Sequence, residues 1–325
     1  MASRTGSRFG RRIVWLAAAV FLFVLAYTAA WFYMARALEN RIATTLTELN
    51  GGGVRAFCEE PQARGFPFRI GLFCNSVFYE NVHDGISIRA GELRTAANVY
   101  RPFRILSELD GPATIMLPFT LPLQARWESL RASGRLARPL PERISVEGRA
   151  VEIALEEGGE APLATLGTMQ IHARQLGADI ETAISFGELA FGDEVVADLP
   201  PLEGRALVLV SNGVSLIQSR PEDLRGQSAT IEEMVVGVVG ESAGISLSGP
   251  LTVGQDGLID AELSVRVDDP AAVARFMAQV FPGERDRILA ASGAISGLGN
   301  APLQIRIVRG RVFLGFIPLG EIPPV

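Results

Sequence analysis

The chain has 325 residues, a net charge of -6 and 48% hydrophobic residues, with a pI near 5.2. Every basic side chain is an arginine, and only 2 histidines are present. This acidic balance, with no basic run after the N-terminus, excludes simple electrostatic recognition of nucleic acid, and two histidines leave a zinc site short of ligands.

Arg4, Arg8, Arg11 and Arg12 precede an uncharged apolar run from Ile13 to Tyr33. At about 1.5 Å per residue the run spans about 30 Å, enough to cross a bilayer as a helix. The arginines assign residues 1–12 to the cytoplasm, 13–33 to a transmembrane helix, and the rest to the far side of the inner membrane, the periplasm. Trp15 at one end, with Trp31 and Tyr33 at the other, suit the two interfaces. The rival reading is a cleaved signal peptide that releases the body into the periplasm, with Ile13 to Ala26 as its apolar core and Thr28-Ala29-Ala30 as the small-residue site. Length favours retention, as does continuation through Trp31-Phe32-Tyr33-Met34.

Residues 34–50 read as a helical stalk, with Leu38, Ile42, Leu46 and Leu49 at helical spacing before Asn50-Gly51-Gly52-Gly53 stops it. Residues 51–325 read as a β-rich periplasmic domain. Its only cysteines, Cys58 and Cys74, lie in the exported part, where two cysteines most often pair. A bridge there closes a loop worth about 3 kcal/mol through restriction of the unfolded chain. The loop holds Ala63-Arg64-Gly65-Phe66-Pro67-Phe68, a rigid aromatic turn with no metal or redox motif, so a structural staple is preferred over a reactive thiol.

Beyond the loop, two-residue alternation dominates. Val151, Ile153 and Leu155 alternate with polar or small residues, as do Ile245 with Leu247, Leu263 with Val265 and Val267, and Leu303 with Ile305 and Ile307. One apolar and one polar face per strand is the mark of antiparallel sheet. Ser211-Asn212-Gly213 predicts a hairpin from Ala206–Val210 into Val214–Ile217; Gln255-Asp256-Gly257 and Arg309-Gly310 predict two more. Gln124 to Ala137 predicts a helix, with Trp127, Leu130 and Leu136 among arginines. Asp269-Pro270 predicts a helix start, followed by a stripe of Val273, Phe276, Met277 and Val280; Pro282-Gly283 breaks that helix before a second from Glu284 to about Ala291. The fold class is thus mainly β: a transmembrane helix, then a large antiparallel body, curled or stacked, with a few helices. So few helices cannot cover every apolar strand face, so the sheet must curl, stack or leave a greasy concavity.

Catalytic patterns fail on context. Gly240-Glu241-Ser242-Ala243-Gly244 matches a nucleophile elbow, but Ile245 to Pro250 reads as strand and both His83 and His172 precede Ser242. A turn is the better account. Glu156, Glu157 and Glu160 around Gly158-Gly159 read as a solvated loop, and Gly51-Gly52-Gly53 lacks the residues of a phosphate loop. The expectation is therefore no enzyme, no catalytic residues, no metal and no cofactor.

Cys58 and Cys74 around Gly65-Phe66-Pro67-Phe68, Tyr100-Arg101-Pro102 followed by Gly111-Pro112, and Trp127 with Leu130-Arg131-Ala132-Ser133 form an ordered set. It closes with Gly310-Arg311-Val312-Phe313-Leu314-Gly315 and Ile322-Pro323-Pro324. With the N-terminal span, this order resembles domain of unknown function family 2125, a family of uncharacterised alphaproteobacterial envelope proteins, over about residues 8–325. The resemblance implies a membrane-anchored periplasmic protein and carries no catalytic residues. At the level of architecture alone the chain is similar to AsmA-type envelope proteins, whose β-groove is associated with lipid.

The expected role is a membrane-anchored periplasmic protein that binds lipid or another hydrophobic ligand. Leu263, Val265, Val267, Leu303, Ile305 and Ile307 are the candidate face, and dry core is their bland alternative. The expected partners are the inner membrane, through the helix, and lipid, with no nucleic acid; no protein partner is specified. A non-enzymatic envelope scaffold is the alternative function, with Phe316-Ile317-Pro318 through Pro323-Pro324-Val325 as an exposed docking tail.

Overall fold

A computed structural model describes residues 6–157, 161–219, 224–296 and 302–324. The apolar run and the stalk form one continuous helix, α1 (Gly6–Leu49). Asn50 closes its last turn by donating to the Leu46 carbonyl, and Gly52 and Gly53 then redirect the chain at φ 56° and 88°, where side chains are strained. Residues 10–26 are all exposed, and this helix is long and apolar enough to cross a membrane.

The strands follow as β1 (Val54–Cys58), β2 (Gln62–Arg64), β3 (Arg69–Cys74), β4 (Val77–Asn81), β5 (Ile86–Ala90), β6 (Leu93–Asn98) and β7 (Arg101–Leu109). Next come β8 (Ala113–Met116), β9 (Leu123–Arg126), β10 (Ser129–Arg135), β11 (Arg143–Leu155), β12 (Ala164–Leu176), β13 (Asp179–Phe191) and β14 (Leu202–Val210). A short helix α2 (Gly213–Ser219) precedes β15 (Ser228–Val238), β16 (Gly244–Val253) and β17 (Ile259–Asp268). Helices α3 (Pro270–Val280) and α4 (Arg285–Ser296) lead to β18 (Leu303–Val308), β19 (Arg311–Leu314) and β20 (Ile317–Glu321).

All described strands join one antiparallel sheet that does not close on itself. From β11 to β20 each strand pairs with its successor. On its other side β11 feeds two arms. Arg143–Arg149 pairs with β10, and β10 with β7, β6 and β3 in turn; Glu152–Leu155 pairs with β9, and β9 with β8, β5, β4 and β1 in turn. Ala150, at φ 48°, bends β11 between the two. Short breaks at Asn75-Ser76, Gly91-Glu92 and Trp127-Glu128 divide the neighbouring strands at the same level. The result is a crease, with the sheet folded along it.

The apolar face lies inside the fold. The Cys58–Cys74 disulfide, at 2.03 Å, joins β1 of one arm to β3 of the other. Leu72, Cys74, Ala90, Ala113 and Ala125 are buried in the two arms. Trp127 sits at the crease and donates its indole N–H to the Leu109 carbonyl.

Two predicted elements are corrected. Gln124 to Ala137 is not a helix but β9, the Trp127 break and β10. Leu130, Ala132 and Gly134 alternate there with Arg131, Ser133 and Arg135, and Ser133-Gly134 is weak helix sequence. Val214–Ile217 is helical, within α2, and not the second arm of a hairpin; Asn212 takes φ 52° and donates its N–H to Asp179, which starts the helix. The Asp269 cap is as expected: its carboxylate accepts from the Ala272 N–H and Pro270 opens α3.

Candidate functional site

Strand register assembles a continuous apolar row on the inner face. It runs from Ala132 through Val146, Ile171, Ile184, Ala206, Met234, Leu247 and Val265 to Leu303, each directly opposite the next. Eight strand spacings of about 4.8 Å make it about 38 Å long. A parallel row, Ile180, Val210, Ala229, Leu251, Ala261 and Ile307, lies toward one end of the strands. Between the rows the same face shows Val208, Ile231, Leu263 and Ile305.

No second layer covers the middle of this trough among the described residues. Ile184 and Ile144 are each 42% exposed, and Val236 and Ile245 are also open. Helices close only its ends. Val273 and Phe276 of α3 pack on Val238, Ala243 and Leu202, leaving a cavity of about 130 Å³ whose walls are almost wholly apolar. At the opposite end α2 meets the side chain of Ile180 through Gly213, where a Cβ would lie only 3.0 Å away.

The six face residues expected from alternation do share this inner face. Leu263 lies opposite Ile305 and Val265 opposite Leu303; Val267 and Ile307 extend the same alternation along their strands. Ile307 is buried, at 8% exposed, and the other five are half-buried. Sequence alternation missed the other half of the trough, Val146, Ile171, Ile184 and Met234, because the register that aligns strands far apart in the chain is not written in any single strand.

The outer face is polar. Ser133, Ser145, His172 and Ala183 follow one another there, and some of its charges pair across neighbouring strands. Arg174 grips Glu181 with two bonds of 2.5 and 2.9 Å, and Arg205 grips Glu233 with two of 3.0 Å. Hydrogen bonds from the guanidinium, reinforced by its charge, hold both carboxyls below their ordinary range.

Ser242 occupies the turn between β15 and β16, closed by the bond from the Val238 N–H to the Ala243 carbonyl, and its hydroxyl donates to Asp269. His83 lies in the turn before β5 with its ring nitrogen 2.9 Å from the Gly52 carbonyl. Neither histidine shares an element with Ser242. Glu156 accepts from Thr114, while Gly158, Gly159 and Glu160 lie outside the described residues.

The fold defines a class: among the described residues, one apolar helix able to cross a bilayer carries an open antiparallel sheet whose apolar inner face is covered by helices only at its ends. The chain matches the family of uncharacterised proteins conserved in bacteria, domain of unknown function 2125, over residues 31–323, and it belongs to that family. No curated protein and no solved structure matches it.

Proposed function

We propose that the chain is a non-enzymatic, inner-membrane-anchored periplasmic protein that holds the acyl chain of a lipid in the trough of its sheet. The single observation behind this reading is the continuous nine-strand apolar row, whose middle no second layer covers among the described residues. Each methylene moved from water onto such a face gains about 0.8 kcal/mol, so a chain of about fifteen gains about 12 kcal/mol before the cost of ordering it. The helix keeps the trough beside a reservoir of lipid. The test is photo-crosslinking of the full chain, in vesicles, with a phospholipid bearing a diazirine near the end of its acyl chain. Labelled peptides from β12 to β18, lost in Leu247→Asp, are expected; labelling confined to α1 sinks the proposal.

A second reading, an envelope interaction protein, draws on the edge strand β20, whose residues are all exposed, beside Phe316 at 96% exposed. An unpaired edge of this kind accepts another strand. Crosslinking in cells from residues 316–321 that recovers no specific protein above background would count against it.

A further inference from the structure

The end of the sheet nearest α1 carries a row of like charges. Arg104, Arg135, Arg143 and Arg174 lie directly opposite one another on β7, β10, β11 and β12. Like charges in that register repel and weaken a sheet, so each needs an anion nearby. Glu181 serves Arg174, and Glu142, at 3.0 Å, serves Arg135. Among the described residues Arg104 and Arg143 have no carboxylate partner. With Arg69 and Arg135 they line an open cavity of about 610 Å³ beside the sheet. Four guanidinium groups against one carboxylate, Glu142, make a strongly positive recess in an acidic chain.

The helix sets where that recess stands. The Trp31 indole donates to the Arg69 carbonyl at 2.9 Å, and the Tyr27 hydroxyl donates to the Pro67 carbonyl. Phe66 stacks on Phe32 and meets Trp31 edge to face. The stapled loop therefore grips α1 within its apolar run, which ends at Tyr33. Phe68, Tyr100, Phe103 and Leu136 stand exposed at the same level, linked by bonds from Val99 to Phe68 and from Leu136 to Phe103. Exposed aromatics beside a span belong at the bilayer interface, where lipid phosphates lie. Trp31 itself is taken up by the body, at 5% exposed, so the loop supplies the aromatics facing lipid.

We propose that the arginine cavity binds the phosphate of a phospholipid in the leaflet where α1 emerges, clamping the sheet upright on the bilayer. Arg104 and Arg143 supply paired N–H donors to the phosphate oxygens, and the aromatic rim enters the glycerol layer. This site lies on the outer face of the sheet and stands apart from the trough, so either proposal can fail alone.

The test is native mass spectrometry of the full chain released from detergent micelles titrated with short-chain phosphatidic acid, diacylglycerol or inorganic phosphate. Retained phosphatidic acid is expected to fall about tenfold in Arg104→Gln/Arg143→Gln. It is expected to be unchanged in Arg266→Gln, on the same face far from the cavity. Glu142→Gln, which frees Arg135, is expected to raise retention about twofold. Equal retention by wild type and the double variant overturns the proposal, as does arginine-dependent retention of diacylglycerol. Displacement of the lipid by millimolar inorganic phosphate also overturns it, since that marks a free-anion site. Should the double variant melt early, the rise in Glu142→Gln decides, and its absence is a negative result.

Discussion

The two halves of the body use one strand pattern to opposite ends. In residues 54–155 Leu72, Cys74, Ala90, Ala113 and Ala125 are buried, and the disulfide ties β1 of one arm to β3 of the other. In residues 164–308 the inner face carries Ile184, Met234, Leu247, Val265 and Leu303, and among the described residues no second layer covers the middle of its span. The first half is held by a disulfide between its two arms, and the second half contains no cysteine. At the same alternation, the half with the staple buries residues of its face while much of the trough stays half-exposed.

That contrast can be broken at the staple. Cys58→Ser/Cys74→Ser is expected to cost about 3 kcal/mol, read as a lower thermal midpoint of the full chain in detergent, because the loop it frees regains its entropy. Equal stability of oxidised and reduced protein would remove the staple from the account. Truncation then compares the two halves. Leu72→Ala in the closed half is expected to cost about 3 kcal/mol, and Leu247→Ala in the trough about 1 kcal/mol, since a half-exposed side chain has less burial to lose. Equal losses in denaturant titrations would show that something covers the trough.

Removal of the hydroxyl in Tyr27→Phe is expected to cost about 1 kcal/mol locally, and hydrogen exchange at residues 65–69 should quicken while the trough strands stay protected. The smallest effect concerns pH. The Glu181 and Glu233 carboxyls titrate below their ordinary range in the folded protein, so their ion pairs contribute fully above the unfolded carboxylate value and fade as pH falls through the depressed one. The slight stability gap between wild type and Arg174→Gln at neutral pH should close in acid, and a gap that widens there would reverse the sign.

Much of this was legible locally. Helix α1 follows from its uncharged run, β16 to β18 from alternation, and the start of α3 from Asp269-Pro270. The errors share a cause. At Gln124 to Ala137 apolar residues at mixed spacing satisfy two periods, and the pairing of β10 with β7 and β11 decides for strand. At Val214–Ile217 the Asp179 carboxylate, distant in sequence, supplies the bond that starts a helix.

The sequence by itself determined each strand's two faces, the apolar helix and the place of two cysteines, because side-chain alternation and run length are properties of neighbours. Tertiary structure alone decided the crease, the nine-strand trough and the arginine row. Those depend on register between strands separated by tens of residues, and a shift of one residue would have turned every inward side chain out.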